Sequence, residues 1–75
     1  MVSSMTGGEF IKRVRKIGRE RGVSVRLDTE RGKGSHGTLY YGRRLTVVKD
    51  RRKEIGAGLR SVMIRQLGLE PNDFR

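Results

Sequence analysis

The chain has 75 residues, 33% of them hydrophobic, and at this size only about 60% of the unfolded surface can be buried, so one domain with two amphipathic helices and a small sheet is affordable but two layers of buried strands are not. Its 18 lysines and arginines against 8 acids leave a formal charge of +10, which points to an anionic partner, because neutralising phosphates releases counterions. With no cysteine and a single histidine, a disulfide framework and a thiolate metal site are excluded, and neither a metal nor another cofactor is expected.

No apolar run approaches the roughly 20 residues of a membrane span, and the N-terminus lacks the apolar core of a secretory signal, so the expected compartment is the cytoplasm, with no membrane partner. An acidic protein or a membrane surface would exploit the same positive field as nucleic acid. Charge alone does not choose between them.

Residues 1–5 are expected to be disordered and 6–75 to form one domain. Thr6-Gly7-Gly8-Glu9 has the spacing of a capping box, although two glycines weaken a first turn by about 1 kcal/mol each relative to alanine. From Glu9 to Arg21, Phe10, Ile11, Val14 and Ile17 fall on one helical face, Lys12, Arg13, Arg15, Lys16 and Arg19 cover the rest, and Gly22 suits the helix end. The period then changes to two. Val23, Val25 and Leu27 alternate with polar residues as a first strand, and Asp28 to Gly34 is turn chemistry.

Ser35 to Tyr41 reads as a second strand, with His36, Thr38 and Tyr40 on one face and Leu39 on the face toward the helices. Gly42-Arg43 suits the Gly-X turn of a tight hairpin, and Arg44 to Val48 follows as a third strand, expected to turn Leu45 and Val47 inward. Lys49 to Glu54 is a charged, exposed connection. Ile55 to Leu67 regains helical spacing through Leu59, Val62, Met63 and Leu67; Gly68 and Pro71 end the helix, and Leu69 can fold back on its last turn. The expected fold class is therefore α+β: α-β-β-β-α, a three-stranded antiparallel sheet with the second strand central, both helices on one face and the other face open.

An imidazole exchanges protons near neutral pH, and RNA carries its own nucleophile in the 2′-hydroxyl, so one histidine among cations suffices in principle to start phosphodiester cleavage. His36 is the candidate catalytic residue. Lys33 can supply charge, and the amides of Gly34 and Ser35 in a glycine-rich turn can approach a phosphate. Arg43 and Arg44 are candidate positioning charges for RNA held across the open sheet face. The spacing alone equally fits a plain exposed strand residue at His36 and a solvated basic face on the first helix. Asp28 or Asp50 would orient His36 only if the fold brings one close. Gly32-x-Gly34 is no dinucleotide fingerprint, since no helix follows it, and an aromatic content of 5% gives little material for a base-stacking platform.

Gly34-Ser35-His36, the hairpin ending in Leu45-Thr46-Val47-Val48, and Leu59 to Leu69 in the second helix together resemble the HicA family of toxin-antitoxin systems. The likeness spans nearly the whole chain after Thr6. It implies a fold similar to double-stranded-RNA-binding domains, a metal-independent endoribonuclease that cleaves mRNA and arrests translation, and a catalytic histidine that maps onto His36. It also implies a HicB-type antitoxin as protein partner, with operator DNA bound only through the antitoxin complex. The chain departs from the family in having Val48-Lys49-Asp50 where a proline and a second histidine often follow the third strand, and Ala57-Gly58-Leu59 where the helix often opens Gly-Thr-Leu. The alternative is a noncatalytic double-stranded-RNA-binding module, which shares the fold without needing His36. A DNA-binding regulator lacks support, because a sheet separates the helices and leaves no helix-turn-helix pair.

Overall fold

The computed structural model describes residues 5–29 and 36–74. Helix α1 spans Gly7–Arg21 and is capped as its sequence predicts: Thr6 Oγ1 accepts from the Glu9 amide at 3.1 Å, and Glu9 Oε1 accepts from the Thr6 amide at 2.9 Å. Gly22, with φ 69°, closes the other end. The glycines of the first turn have a tertiary reason. A Cβ on Gly7 would lie 2.6 Å from the Asp50 carbonyl oxygen, and the amides of Gly7 and Gly8 donate to Lys53 O at 3.0 Å and Arg51 O at 2.8 Å. The lost helix propensity is exchanged for two satisfied amides and a backbone approach that a side chain would block.

Strands β1 (Val25–Asp28), β2 (Gly37–Tyr41) and β3 (Arg44–Val48) form an antiparallel sheet in the order β1-β2-β3. The first strand begins later than its alternation suggests: Val23 donates to Gly18 O, and Ser24 O accepts from the Gly42 amide. In β1 and β2 the inward face is the expected one, with Leu27 opposite Leu39 and Leu39 fully buried.

Strand β3 is turned over relative to expectation. Thr46 and Val48 are each 1% exposed, whereas Leu45 and Val47 are 46% and 48% exposed. Cross-strand partners share a face, and the two-residue turn pairs Tyr41 with Arg44 and hence Leu39 with Thr46. Once Leu39 points at the helices, Thr46 must do so too, whatever its polarity. Its hydroxyl is satisfied there, donating to Gln66 Oε1 at 2.6 Å.

Helix α2 covers Ala57–Gln66, shorter at both ends than the apolar spacing suggests. Its buried residues are Met63 and Ile64, with Leu67 just beyond, while Leu59 and Val62 are 50% and 47% exposed, against expectation. Helix α2 meets the sheet at β3, its edge strand, and turns Met63 and Ile64 into the core shared with α1. Gly68 (φ 74°) follows, and the Leu69 amide returns to Ile64 O at 3.0 Å, burying Leu69 as the sequence suggests.

Phe10, Ile11, Val14 and Ile17 of α1 meet Leu39, Val48, Ile55, Met63, Ile64, Leu67 and Leu69 in one core on one face of the sheet. Met5, expected in the disordered segment, is half-buried against that core and its carbonyl accepts from the Ile55 amide at 2.7 Å. A short 3-10 helix, Pro71–Phe74, docks the tail: Phe74 stacks on Phe10 with centroids 5.1 Å apart, and Asp73 accepts from Arg21 at 2.6 Å. The Glu70 amide and the Arg21 guanidinium hold the Asp73 carboxyl below its ordinary range, and Asp73 in turn raises Arg21.

Candidate active site

His36 stands immediately before β2 and is exposed. Its neighbour Gly37 is buried, and a Cβ there would lie 3.0 Å from Leu27 Cδ1 and 3.1 Å from Thr29 Cγ2. Glycine thus lets the start of β2 close against the end of β1, which sets where the histidine leaves the sheet. Lys33, Gly34 and Ser35 lie outside the described residues.

The register determines what surrounds His36. Gly37 pairs with Val48, so the next residues out on the two strands are His36 and Lys49. Beyond Lys49 the chain turns through Asp50 to Lys53, and the Asp50 carboxylate shapes that turn by accepting from the Arg52 amide at 2.9 Å. Lys49, Arg52 and Lys53 are exposed and Arg51 is partly so. The carbonyls of Arg51 and Lys53 are the ones bonded to the first amides of α1. One end of the molecule therefore gathers the histidine, four cations and the start of α1. On α1, Lys12, Arg13, Lys16 and Arg19 line a broad depression together with Met5 and Glu9.

Sequence reading treats Lys49 to Lys53 only as a solvated connection. The signal that could have found these residues is topological: in an antiparallel β2-β3 hairpin the end of β3 lies beside the beginning of β2, so whatever follows β3 adjoins His36.

Arg43 and Arg44 fall at the opposite end of the hairpin. The five residues of β2, at about 3.3 Å each, put roughly 20 Å between the turn and His36. Arg44 has the inward parity of Thr46 and Val48, and its side chain lies across Gly68, where a Cβ would come within 2.8 Å of Nε. Neither arginine can contact a phosphate held at His36, so a positioning role for them would act on a part of the RNA roughly 20 Å away.

Nor does the open face have the charge that holding RNA across it requires. It presents Arg26 and Asp28 from β1, Thr38 and Tyr40 from β2, and Leu45 and Val47 from β3. These residues include one cation and one anion. The cation is engaged with an aromatic ring, Arg26 Cζ lying 4.4 Å from the Tyr40 centroid. Positive charge sits instead at the His36 end and along α1.

Among the described residues no group of three or more histidine, aspartate or glutamate side chains is arranged to hold a metal ion, and no helix is long and apolar enough to cross a membrane. Set against family models, curated proteins and solved structures, the chain matches none.

Proposed function

We propose that the chain is a metal-independent endoribonuclease of the HicA toxin type, acting on mRNA in the cytoplasm and held in check by a HicB-type antitoxin, with operator DNA reached only through that complex. The observation that carries this is the exposed His36 placed by the β2-β3 register next to Lys49, where Arg51, Arg52 and Lys53 gather. The motif resemblance supplies the reaction class. RNA lies across this end of the molecule rather than over the centre of the open face.

In the reaction, His36 accepts the proton of a ribose 2′-hydroxyl as that oxygen attacks the adjacent phosphorus. The bond from phosphorus to the 5′-oxygen breaks, leaving a 2′,3′-cyclic phosphate on one fragment and a 5′-hydroxyl on the other. Negative charge accumulates on the non-bridging oxygens as the five-coordinate phosphorus forms, and nearby lysine and arginine side chains offset it. The chain holds one histidine, so the departing 5′-oxygen takes its proton from a different group.

The test is RNA cleavage by the pure protein in chelator. His36→Ala is expected to slow cleavage by at least about a hundredfold, and to abolish growth arrest on expression. Because the side chain is exposed, its melting temperature should stay within about 3 °C of the parent. Cleavage at the parental rate by the variant would end the assignment. Salt-dependent duplex binding without product, in parent and variant alike, would assign the chain to noncatalytic RNA binding.

A further inference from the structure

Strand β3 is an edge of the sheet, and its two outward residues are aliphatic and about half exposed: Leu45 at 46% and Val47 at 48%. The same residues control the backbone edge. Tyr41 and Arg44 flank a two-residue turn with Gly42 at φ 62° and so form the hydrogen-bonded pair that closes the hairpin, after which bonded and unbonded pairs alternate. Leu39 with Thr46 and Gly37 with Val48 are then bonded pairs, while Tyr40 with Leu45 and Thr38 with Val47 are not. The N–H and C=O groups of Leu45 and Val47 consequently point away from β2, into the free edge. Among the described residues no backbone hydrogen bond outside the sheet reaches residues 44–48.

The apolar strip continues around the edge. Val47 and Leu59 line one groove of about 170 Å³ with Ile55 and Met63 in its lining, and Val62, 47% exposed, lies one turn along α2 from Leu59. Soluble proteins ordinarily protect such an edge with an inward charge, a proline, a bulge or a covering segment. Here the ladder is regular from Arg44 to Val48, with no proline and no bulge, and its one inward charge, Arg44, stands at the turn end. The charges stand only at its ends, Arg43 and Arg44 at one and Lys49 at the other.

We propose that the free edge of β3 is a docking site for an extended, acidic segment of a partner protein, which adds a fourth strand. Its backbone pairs with Leu45 and Val47, its alternate apolar side chains cover Leu45 and Val47 on the open face, and its acidic ends meet Arg43, Arg44 and Lys49. A second copy of the chain fits worse. Antiparallel pairing of two β3 edges would set Arg43 and Arg44 of one copy against Lys49 of the other, between molecules that each carry +10. The proposal shares Lys49 with the ribonuclease reading but does not use His36, and its test contains no RNA, so either can fail without the other.

The test titrates the full chain with a short synthetic peptide, Glu-Asp-Val-Thr-Val-Thr-Val-Glu-Asp, followed by backbone amide NMR and hydrogen exchange. The expected result is slowed exchange at the Leu45 and Val47 amides. Binding should weaken by about tenfold or more in Leu45→Lys and Val47→Lys, a change of at least about 1.4 kcal/mol. It should weaken similarly when the peptide's acids are replaced by lysine. Both positions are half exposed, so the variants should melt close to the parent, which a parallel thermal scan checks. Four results would overturn the proposal: no binding, equal binding by the folded lysine variants, changes confined to the basic stripe of α1, or protection of Leu45 and Val47 without peptide in a concentration-dependent dimer.

Discussion

Gly18 shows how a single residue is decided by its surroundings rather than by its helix. It is buried in the last turns of α1, where a Cβ would clash with Val25 Cγ2 and lie 2.7 Å from the Val23 carbonyl oxygen. Alanine would improve helix propensity by about 1 kcal/mol, but the carbonyl belongs to backbone tied to Gly18 itself, since the Val23 amide donates to Gly18 O at 2.8 Å. That loop cannot retreat without losing the bond, so overpacking, at about 1–3 kcal/mol, outweighs propensity. Gly18→Ala should destabilise the protein by up to about 2 kcal/mol in urea unfolding; a more stable variant would show that the chain after Gly22 yields freely. His36 is the opposite case. Its exposure was legible because it stands two positions before Thr38, on the face opposite Leu39, although it lies just before β2 and not, as the spacing predicts, within the strand. Its cationic neighbours were not legible, because they come from a segment more than ten residues away in sequence that only the register brings alongside.

At the scale of elements, α1 was readable almost to the residue, because a capping box, a periodic apolar face and a terminal glycine are all local signals. Strand β3 was not, although the information was present: a two-residue turn fixes the parity of both strands, and that constraint outranks the polarity of Thr46. Leu45 and Val47 are hydrophobic and face out; Thr46 is polar and faces in with its hydroxyl bonded to Gln66. The docking of the C-terminal 3-10 helix yields a pH prediction. The folded-state carboxyl of Asp73 is held below its ordinary range, chiefly by the Glu70 amide and then by Arg21. The unfolded chain therefore takes up a proton first as pH falls. The stabilisation is fully present above the unfolded carboxylate value, near 4, and is lost as pH falls through the lower folded value. The melting temperature of Asp73→Asn should lie below that of the parent at pH 7, by a margin that is constant down to about pH 5 and closes below about pH 4. A margin that widened on acidification would contradict this sign.

For the molecule as a whole, the distribution of charge matters more than its sum. Cations gather at the His36 end and along α1 and flank the two ends of the β3 edge, while the open face is nearly neutral and partly aliphatic. One surface is thus suited to phosphates and another to protein. If Lys49, Arg51, Arg52 and Lys53 each meet a phosphate of single-stranded RNA, the logarithm of affinity should fall with that of salt at a slope of about −3, and the double variant Arg52→Ala, Lys53→Ala should reduce that slope by about 1. Filter binding across a salt series reads both, and an unchanged slope would place the RNA elsewhere, along α1. By itself the sequence determined the element order, the ends of α1, the single imidazole and the excess of positive charge, since each follows from local spacing or from composition. Only the tertiary structure decided which face β3 shows, which side of α2 is buried, that Arg43 and Arg44 stand remote from His36, and that Lys49 stands beside it. Those are matters of strand pairing, and pairing joins residues by register and not by their nearness along the chain.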